Sequence, residues 1–77
     1  MERIKLIWDF RGPNAAPIAQ HHAKHLGEFV EAEKLLHSFT GTEEAGPMHH
    51  IAFLVVEKKL MDTLRNRLKP NRGQIFE

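Results

Sequence analysis

The sequence predicts a single α+β domain in which two helices cover one face of an antiparallel sheet. Apolar residues alternate with polar ones at the start of the chain, recur with helical spacing in two later segments, and alternate again between those segments. The chain has 77 residues, of which 42% are hydrophobic and 27% are charged. This size and composition are ordinary for one globular domain.

The first strand and the first helix differ clearly in hydrophobic period. Every second residue from 4 to 10 is large and apolar, which predicts a half-buried strand over residues 3–10. Asn14 closes the following turn, and we expect it to cap a helix over residues 15–33. The apolar face of that helix consists of Ala15, Ile18, Ala19, Leu26, Phe29 and Val30.

The remaining segments predict a hairpin, a second helix and a short final strand. We expect strands over 35–40 and 48–56, with residues 41–47 as a hairpin loop or as a hairpin end with ragged strand extensions. A helix over 57–68 and a strand over 74–76 follow. The resulting order is β-α-β-β-α-β, the ferredoxin-like arrangement. Without the last strand, the fold is an α+β meander of the same type.

Composition excludes several classes of protein. The absence of cysteine removes disulfides and cysteine-based zinc or redox sites. A net charge of +1 does not favour nucleic-acid binding, and the basic end of the second helix is explained as a solvated helix terminus. No apolar run approaches the roughly 20 residues that span a bilayer. We therefore expect a cytoplasmic protein with no nucleic-acid or membrane partner and no cofactor.

The third predicted strand indicates a partner subunit. Its two faces are both apolar, and we expect Ala52, Leu54 and Val56 to join Ile7 on the sheet face that no helix covers. An uncovered apolar face normally marks an interface, which predicts a homodimer. A chain of this length buries only about 60–65% of its unfolded surface, so a second copy would also add stability. The alternative is a central strand with a few tolerated exposed apolar side chains.

Three of the six histidines lie on the first helix. His21 and His25 are four residues apart and share a helix face, so with Glu28 they are candidate metal ligands. His22 falls inside the apolar arc. Three interpretations stay open for this group: a metal site, a polar or catalytic pocket, or a buried or interface imidazole at His22 with the other two rings solvated.

The other histidines lie on the predicted hairpin. We expect His37 to sit opposite His50 or Ile51, which would make two imidazole rings cross-strand neighbours. His49 and His50 are adjacent in a strand, so one faces the helices and the other faces the open side of the sheet.

The turn between the first strand and the first helix is a candidate anion site. Free backbone N–H groups at a helix start favour an anion, and Arg11 and Asn14 lie beside them. Asp9 is a candidate to orient a histidine imidazole, as carboxylates do in acid–base pairs, and we expect His22 or His25 to line the same pocket. Trp8 would supply an apolar wall. The alternative is a capped helix with a surface salt bridge.

The element order and the apolar open face resemble the dimeric α+β-barrel group of ferredoxin-like proteins. Within that group, the segment from His25 to Phe29 is similar to the H-L-x-x-aromatic helix of YciI-related proteins. Their Asp-Pro signature after the second helix is absent, because Lys69-Pro70 stands there. The resemblance implies a dimer with a small-molecule pocket between the sheet and the first helix.

These observations lead to a ranked set of functions. The first is a small homodimeric module that binds a ligand, such as a small anion, or a partner. The second is an enzyme that uses histidine for acid–base chemistry on a small carbonyl or carboxylate compound. The third is a metal-binding protein that uses the histidines and glutamate of the first helix. The sequence identifies no substrate.

Overall fold

A computed structural model describes residues 2–76 as four strands and two helices. The elements are β1 (Arg3–Arg11), α1 (Ala15–Glu33), β2 (Phe39–Gly46), β3 (His49–Glu57), a 3₁₀ turn (Lys58–Leu60), α2 (Met61–Leu68) and β4 (Arg72–Phe76). The final strand is present and begins two residues earlier than the sequence predicted. The α+β class is therefore confirmed.

The four strands form one antiparallel sheet in the order β2-β3-β1-β4. The two central strands are β1 and β3, and the edges are β2 and β4. Because β1 pairs with strands that come much later in the chain, the sheet joins distant segments of sequence. The element order fits a ferredoxin-like arrangement.

Both helices pack on the same face of the sheet. This core face contains the even-numbered residues of β1 and β3, because successive side chains of a strand point to opposite sides. Ala19 and Leu26 of α1 and Leu64 of α2 pack against it. The buried residues contributed by the sheet are Ile4, Leu6, Trp8, Ala52, Leu54 and Val56.

The open face of the sheet differs from the sequence prediction. Ala52, Leu54 and Val56 belong to the helix-covered core, so the expectation that they lie uncovered is wrong. The register explains this, because Leu6 pairs with Leu54 and therefore shares its face. Ile7 does lie on the open face, as expected. Its apolar neighbours on β3 are Ile51, Phe53 and Val55.

Aromatic and basic side chains cover much of the open face. The Arg3 guanidinium lies 5.0 Å from the ring centroid of Phe76 and 5.7 Å from that of Phe39. The Lys5 ammonium lies 4.5 Å above Phe53. Beneath this layer, Ile7 and Val55 are almost fully buried although no helix lies over them.

The second strand is displaced from its predicted position. The prediction over 35–40 is wrong, because β2 covers 39–46 and only Pro47 and Met48 remain as the turn. β2 is a mostly exposed edge strand that contains glycine, threonine and glutamate. Its sequence therefore shows little of the apolar alternation that indicates a strand. His37 lies before the strand with a φ of 57°. The residues opposite Ile51 and His50 are Glu43 and Glu44, so the predicted pairing of His37 is wrong.

The second helix is shorter than predicted. Glu57 belongs to β3, where it pairs with Arg3, and the α-helix begins at Met61. The Trp8 indole N–H donates to the carbonyl of Leu68 at 3.3 Å, which satisfies one free carbonyl of the helix end. Neither helix within residues 2–76 has the length and apolar content needed to cross a membrane.

Candidate functional site

Three strands bring a carboxylate, an imidazole and a guanidinium together on the open face. The Asp9 carboxylate accepts a hydrogen bond from Nε2 of His49 at 2.8 Å. Arg72 donates to both carboxylate oxygens, from Nε at 3.1 Å and from Nη2 at 3.1 Å. We call Asp9, His49, Arg72 and the neighbouring Arg11 the β-face cluster.

Backbone pairing explains why the cluster forms at this point. The β1–β4 ladder reaches only as far as the pair Ile7 and Arg72. Beyond it, the Asn71 side-chain oxygen accepts the N–H of Asp9 at 2.7 Å, and the Asn71 N–H donates to the Ile7 carbonyl at 2.9 Å. Asn71 therefore fixes the backbone next to both members of the Arg72–Asp9 pair.

The surroundings of Asp9 favour its ionised form. Its hydrogen bond to Arg72 and the bond to His49 lower the pKa of the carboxyl from 3.8 to about 2, against the opposing effect of partial burial. Contact with the carboxylate also raises the pKa of Arg72 above its ordinary value. Because an ionised carboxylate only accepts hydrogen bonds, Nε2 of His49 carries a proton. The free basic nitrogen of a neutral His49 is then Nδ1.

Arg11 belongs to the same region of the surface. It is the cross-strand partner of His49, so the two side chains leave the sheet on the same side. Arg11 is exposed and forms no ion pair within residues 2–76. Asn14 is also exposed, but its side chain makes no capping hydrogen bond to α1, so the expected cap is absent.

The predicted pocket of Trp8, Asp9, Arg11 and a helix histidine does not form. Trp8 and His22 lie on the helix-covered side of the sheet, whereas Asp9 and Arg11 lie on the open side. Strand alternation separates adjacent residues in this way. Asp9 does orient a histidine, but the partner is His49 rather than His22 or His25.

His22 is enclosed by aromatic rings. Its ring centroid lies 4.9 Å from that of Trp8 and 5.6 Å from that of Phe10. Nε2 is buried and has no hydrogen-bond partner within the described chain. Burial, with smaller effects from the charges of His25 and His21, lowers the pKa of His22. These contacts favour a neutral packing imidazole, in agreement with its predicted place in the apolar arc.

The two other helix histidines contact each other at the surface. Nε2 of His21 lies 3.1 Å from Nε2 of His25, and Nδ1 of His25 lies 3.1 Å from a Glu28 carboxylate oxygen. Glu28 therefore touches the side of the ring that faces away from His21. No group of three or more acidic or histidine side chains within residues 2–76 is placed to hold a metal ion.

A cleft of about 310 Å³ opens on the other side of the sheet, between α2 and β4. Its walls include the apolar side chains of Ile4, Leu6 and Ile75, and Arg65 lies among the polar lining residues. Of the β-face cluster, only Arg72 contributes to this lining. None of the site residues predicted from the sequence does so.

Sequence reasoning found half of the β-face cluster. Asp9 and Arg11 are candidates from the sequence, whereas Arg72 belongs to the basic end of the second helix, which the sequence indicates as a solvated terminus, and His49 belongs to the predicted hairpin. The alternation rule placed either His49 or His50 on the open face, but it did not reveal the contact with Asp9. That contact depends on the pairing of β1 with β3, which periodicity alone does not determine.

Comparisons of the chain with protein-family models, with curated proteins and with solved structures give no match. The resemblance to YciI-related proteins is therefore not supported by them.

Proposed function

We propose that this protein is a binding module for a small oxyanion, a carboxylate or a phosphate, that docks on the β-face cluster. The observation that carries the proposal is the side-on pairing of Arg72 with Asp9, on the sheet face that also carries the exposed Arg11. Asp9 holds Arg72 in a fixed orientation, and Arg11 follows Asp9 by two residues in β1, so the two share a face of the strand.

The Asp9 contact leaves donors of Arg72 available. The Asp9 carboxylate accepts hydrogen bonds from Nε and from one N–H of Nη2, while the Arg72 side chain stays half exposed. A guanidinium has five N–H donors, so Nη1 and the second N–H of Nη2 are free for a ligand. Planar guanidinium groups suit the paired oxygens of carboxylates and phosphates.

The charge balance of the cluster favours an anion. Two arginines outnumber the single carboxylate, so the cluster carries a net positive charge. Asp9 and His49 are each only 17% exposed, so the pair is partly shielded from water. Partial shielding strengthens an ionic contact relative to one in bulk solvent.

A titration followed by NMR tests this proposal. Inorganic phosphate and malonate are added separately to ¹⁵N-labelled protein, and we expect saturable shifts of the amides near residues 9–11, 49–51 and 71–73. Arg11→Gln and Arg72→Gln should each weaken binding by about 10-fold, consistent with loss of a charge-assisted contact worth about 1.5 kcal/mol.

Arg65→Gln is the matched control. Arg65 is an exposed arginine of α2 paired with Asp62, outside the β-face cluster, so its loss should leave the affinity unchanged. Equal weakening in all three variants would show a general charge effect and would contradict the proposed site. Absence of saturable shifts with both anions would also contradict it.

A second candidate function is acid–base catalysis by His49. The 2.8 Å hydrogen bond from its Nε2 to Asp9 favours this function, because a carboxylate on one imidazole nitrogen orients the other nitrogen as a base. A substrate carboxylate on Arg11 or Arg72 would place the adjacent carbon close to the imidazole. The reaction class is proton abstraction next to a carbonyl group.

Hydrogen–deuterium exchange at such a carbon provides the test. A 2-keto acid is incubated with the protein in D₂O and its exchange is followed by ¹H NMR. We expect faster exchange with the unmodified protein than with His49→Gln, while His50→Gln keeps the full rate because His50 faces the helices. A rate no higher than that of the buffer blank would rule out this activity on the substrate tested.

We also propose that the open face joins two copies of the chain. Phe39 is 40% exposed there and contacts Phe53 and Phe76 edge to face. Lys5 of β1 pairs with Glu43 of β2 within the same chain, so the aromatic side chains are the part of this face left for a partner. A two-fold axis beside Phe39 would bring the aromatic side chains of the two copies together.

A further inference from the structure

The exposed surface of α1 carries a second arrangement of side chains, separate from the β-face cluster. His21 and His25 are one helical turn apart, and their ring centroids are 4.5 Å apart with the planes at 83°. The two Nε2 atoms approach to 3.1 Å. The two Nε2 atoms therefore face each other at the helix surface and share a hydrogen bond, whose proton a bound metal ion would replace.

Glu28 determines which nitrogen of His25 carries the proton. Its carboxylate oxygen lies 3.1 Å from Nδ1 of His25, and an ionised carboxylate accepts the Nδ1–H. In a neutral ring the lone pair then lies on Nε2, the nitrogen that faces His21. A carboxylate bound to the far nitrogen of a histidine is the usual outer partner of a metal-ligating imidazole.

The separation of the nitrogens matches the size of a transition-metal ion. With metal–nitrogen bonds of about 2.05 Å, two nitrogens 3.1 Å apart subtend about 98° at the ion. An ideal tetrahedral angle requires a separation of about 3.3 Å, which a small rotation of either exposed ring provides. The side chains of His25 and Glu28 are each more than half exposed, so such a rotation meets little resistance.

We propose that His21 and His25 form a two-nitrogen chelating site for a divalent transition-metal ion such as Zn²⁺, Ni²⁺ or Cu²⁺. Imidazole suits these metals, whereas Mg²⁺ and Ca²⁺ prefer oxygen ligands. Glu28 positions His25 and does not ligate, and water fills the other coordination positions. The site does not depend on the proposed anion binding, because its residues are exposed on α1, and α1 packs on the face of the sheet opposite the β-face cluster.

Calorimetric titration of the untagged protein with ZnCl₂ tests the site. We expect one ion per chain, and a loss of at least 100-fold in affinity in His21→Ala and in His25→Ala, because either change removes the chelate. Glu28→Ala should weaken binding by about 10-fold, the effect typical of losing an outer partner of a ligand. Both histidines are exposed, so these variants should keep the fold, which circular dichroism checks.

His37→Asn is the matched control, because it removes an exposed imidazole that lies outside α1 and asparagine accepts its positive φ. Side-chain ¹⁵N NMR adds a structural readout: Zn²⁺ should shift Nε2 of His21 and His25 while Nδ1 of His25 stays protonated. The proposal is overturned if Zn²⁺ does not bind, if either alanine variant retains the affinity, or if the control loses it equally.

Discussion

The Asp9 carboxylate links pH to the stability of the sheet. Its folded-state pKa of about 2 is below the ordinary 3.8, so it stabilises the fold above about pH 4 and loses that effect as the pH falls toward 2. Asp9→Asn should lower the free energy of unfolding at pH 7 by about 1–2 kcal/mol, since Arg72 is half exposed and solvent screens the pair.

Urea unfolding at pH 7 and pH 3 measures this effect. The variant should be destabilised at pH 7, and the difference from the unmodified protein should shrink at pH 3. Asp62→Asn changes an exposed aspartate of α2 and serves as the control. A destabilisation of Asp9→Asn that is equally large at both pH values would show that the charge is not responsible.

The contribution of the His22 imidazole to stability also decreases as the pH falls, but in a higher pH range than that of Asp9. Burial lowers its pKa below 6.5, so its contribution to stability is complete above that pH and is lost as the pH falls from 6.5 toward the folded value. His22→Phe keeps an aromatic ring against Trp8 without the titration. Thermal unfolding at pH 7.5 and 5.5 should show a smaller acid-induced loss in this variant, whereas His37→Asn should behave like the unmodified protein.

At the scale of elements, Gly41 controls the packing of β2 against β3. A Cβ at this position would lie 2.7 Å from the ring of Phe53, whereas one at Gly46 would meet nothing within 4 Å. We expect Gly41→Ala to destabilise the protein by about 1–2 kcal/mol, because the ring must move. Gly46→Ala should change stability by less than about 0.5 kcal/mol. Equal denaturation midpoints for the two variants would contradict this interpretation.

The elements differ in how well the sequence predicted them. The 3.6-residue spacing determined the bounds of α1, since a long amphipathic pattern has few alternatives. The strand β2 was misplaced because an edge strand needs no continuous apolar face. Strand alternation put Trp8 and Asp9 on opposite sides, yet the Asp9–His49 contact required the register of β1 against β3. Pairing between distant segments is a property of the whole sheet, and periodicity does not encode it.

At the scale of the whole molecule, the open face predicts self-association. Light scattering at high concentration should give twice the 8.9 kDa mass of one chain. Dilution should restore the mass of a single chain. Phe39→Lys should abolish the dimer, because it places a charge in the apolar part of the face.

Leu36→Lys is the control for that variant. Leu36 is 69% exposed but precedes β2 and lies outside the sheet. Its substitution should leave the mass unchanged. A single-chain mass for the unmodified protein at high concentration would contradict the dimer, while leaving the anion and metal sites untouched.

Because β4 is an exposed edge strand, the part of the β-face cluster that it carries should open more often than the part on β1 and β3. Four of its five residues are exposed, whereas β1 and β3 carry most of the core. Strands with little buried surface open locally more often than central ones. Opening of β4 withdraws Arg72 while the central pair of Asp9 and His49 stays in place. The amides of residues 73–75 should therefore exchange with solvent faster than those of β1. A bound anion should slow this exchange, because it holds the guanidinium of Arg72 on the sheet.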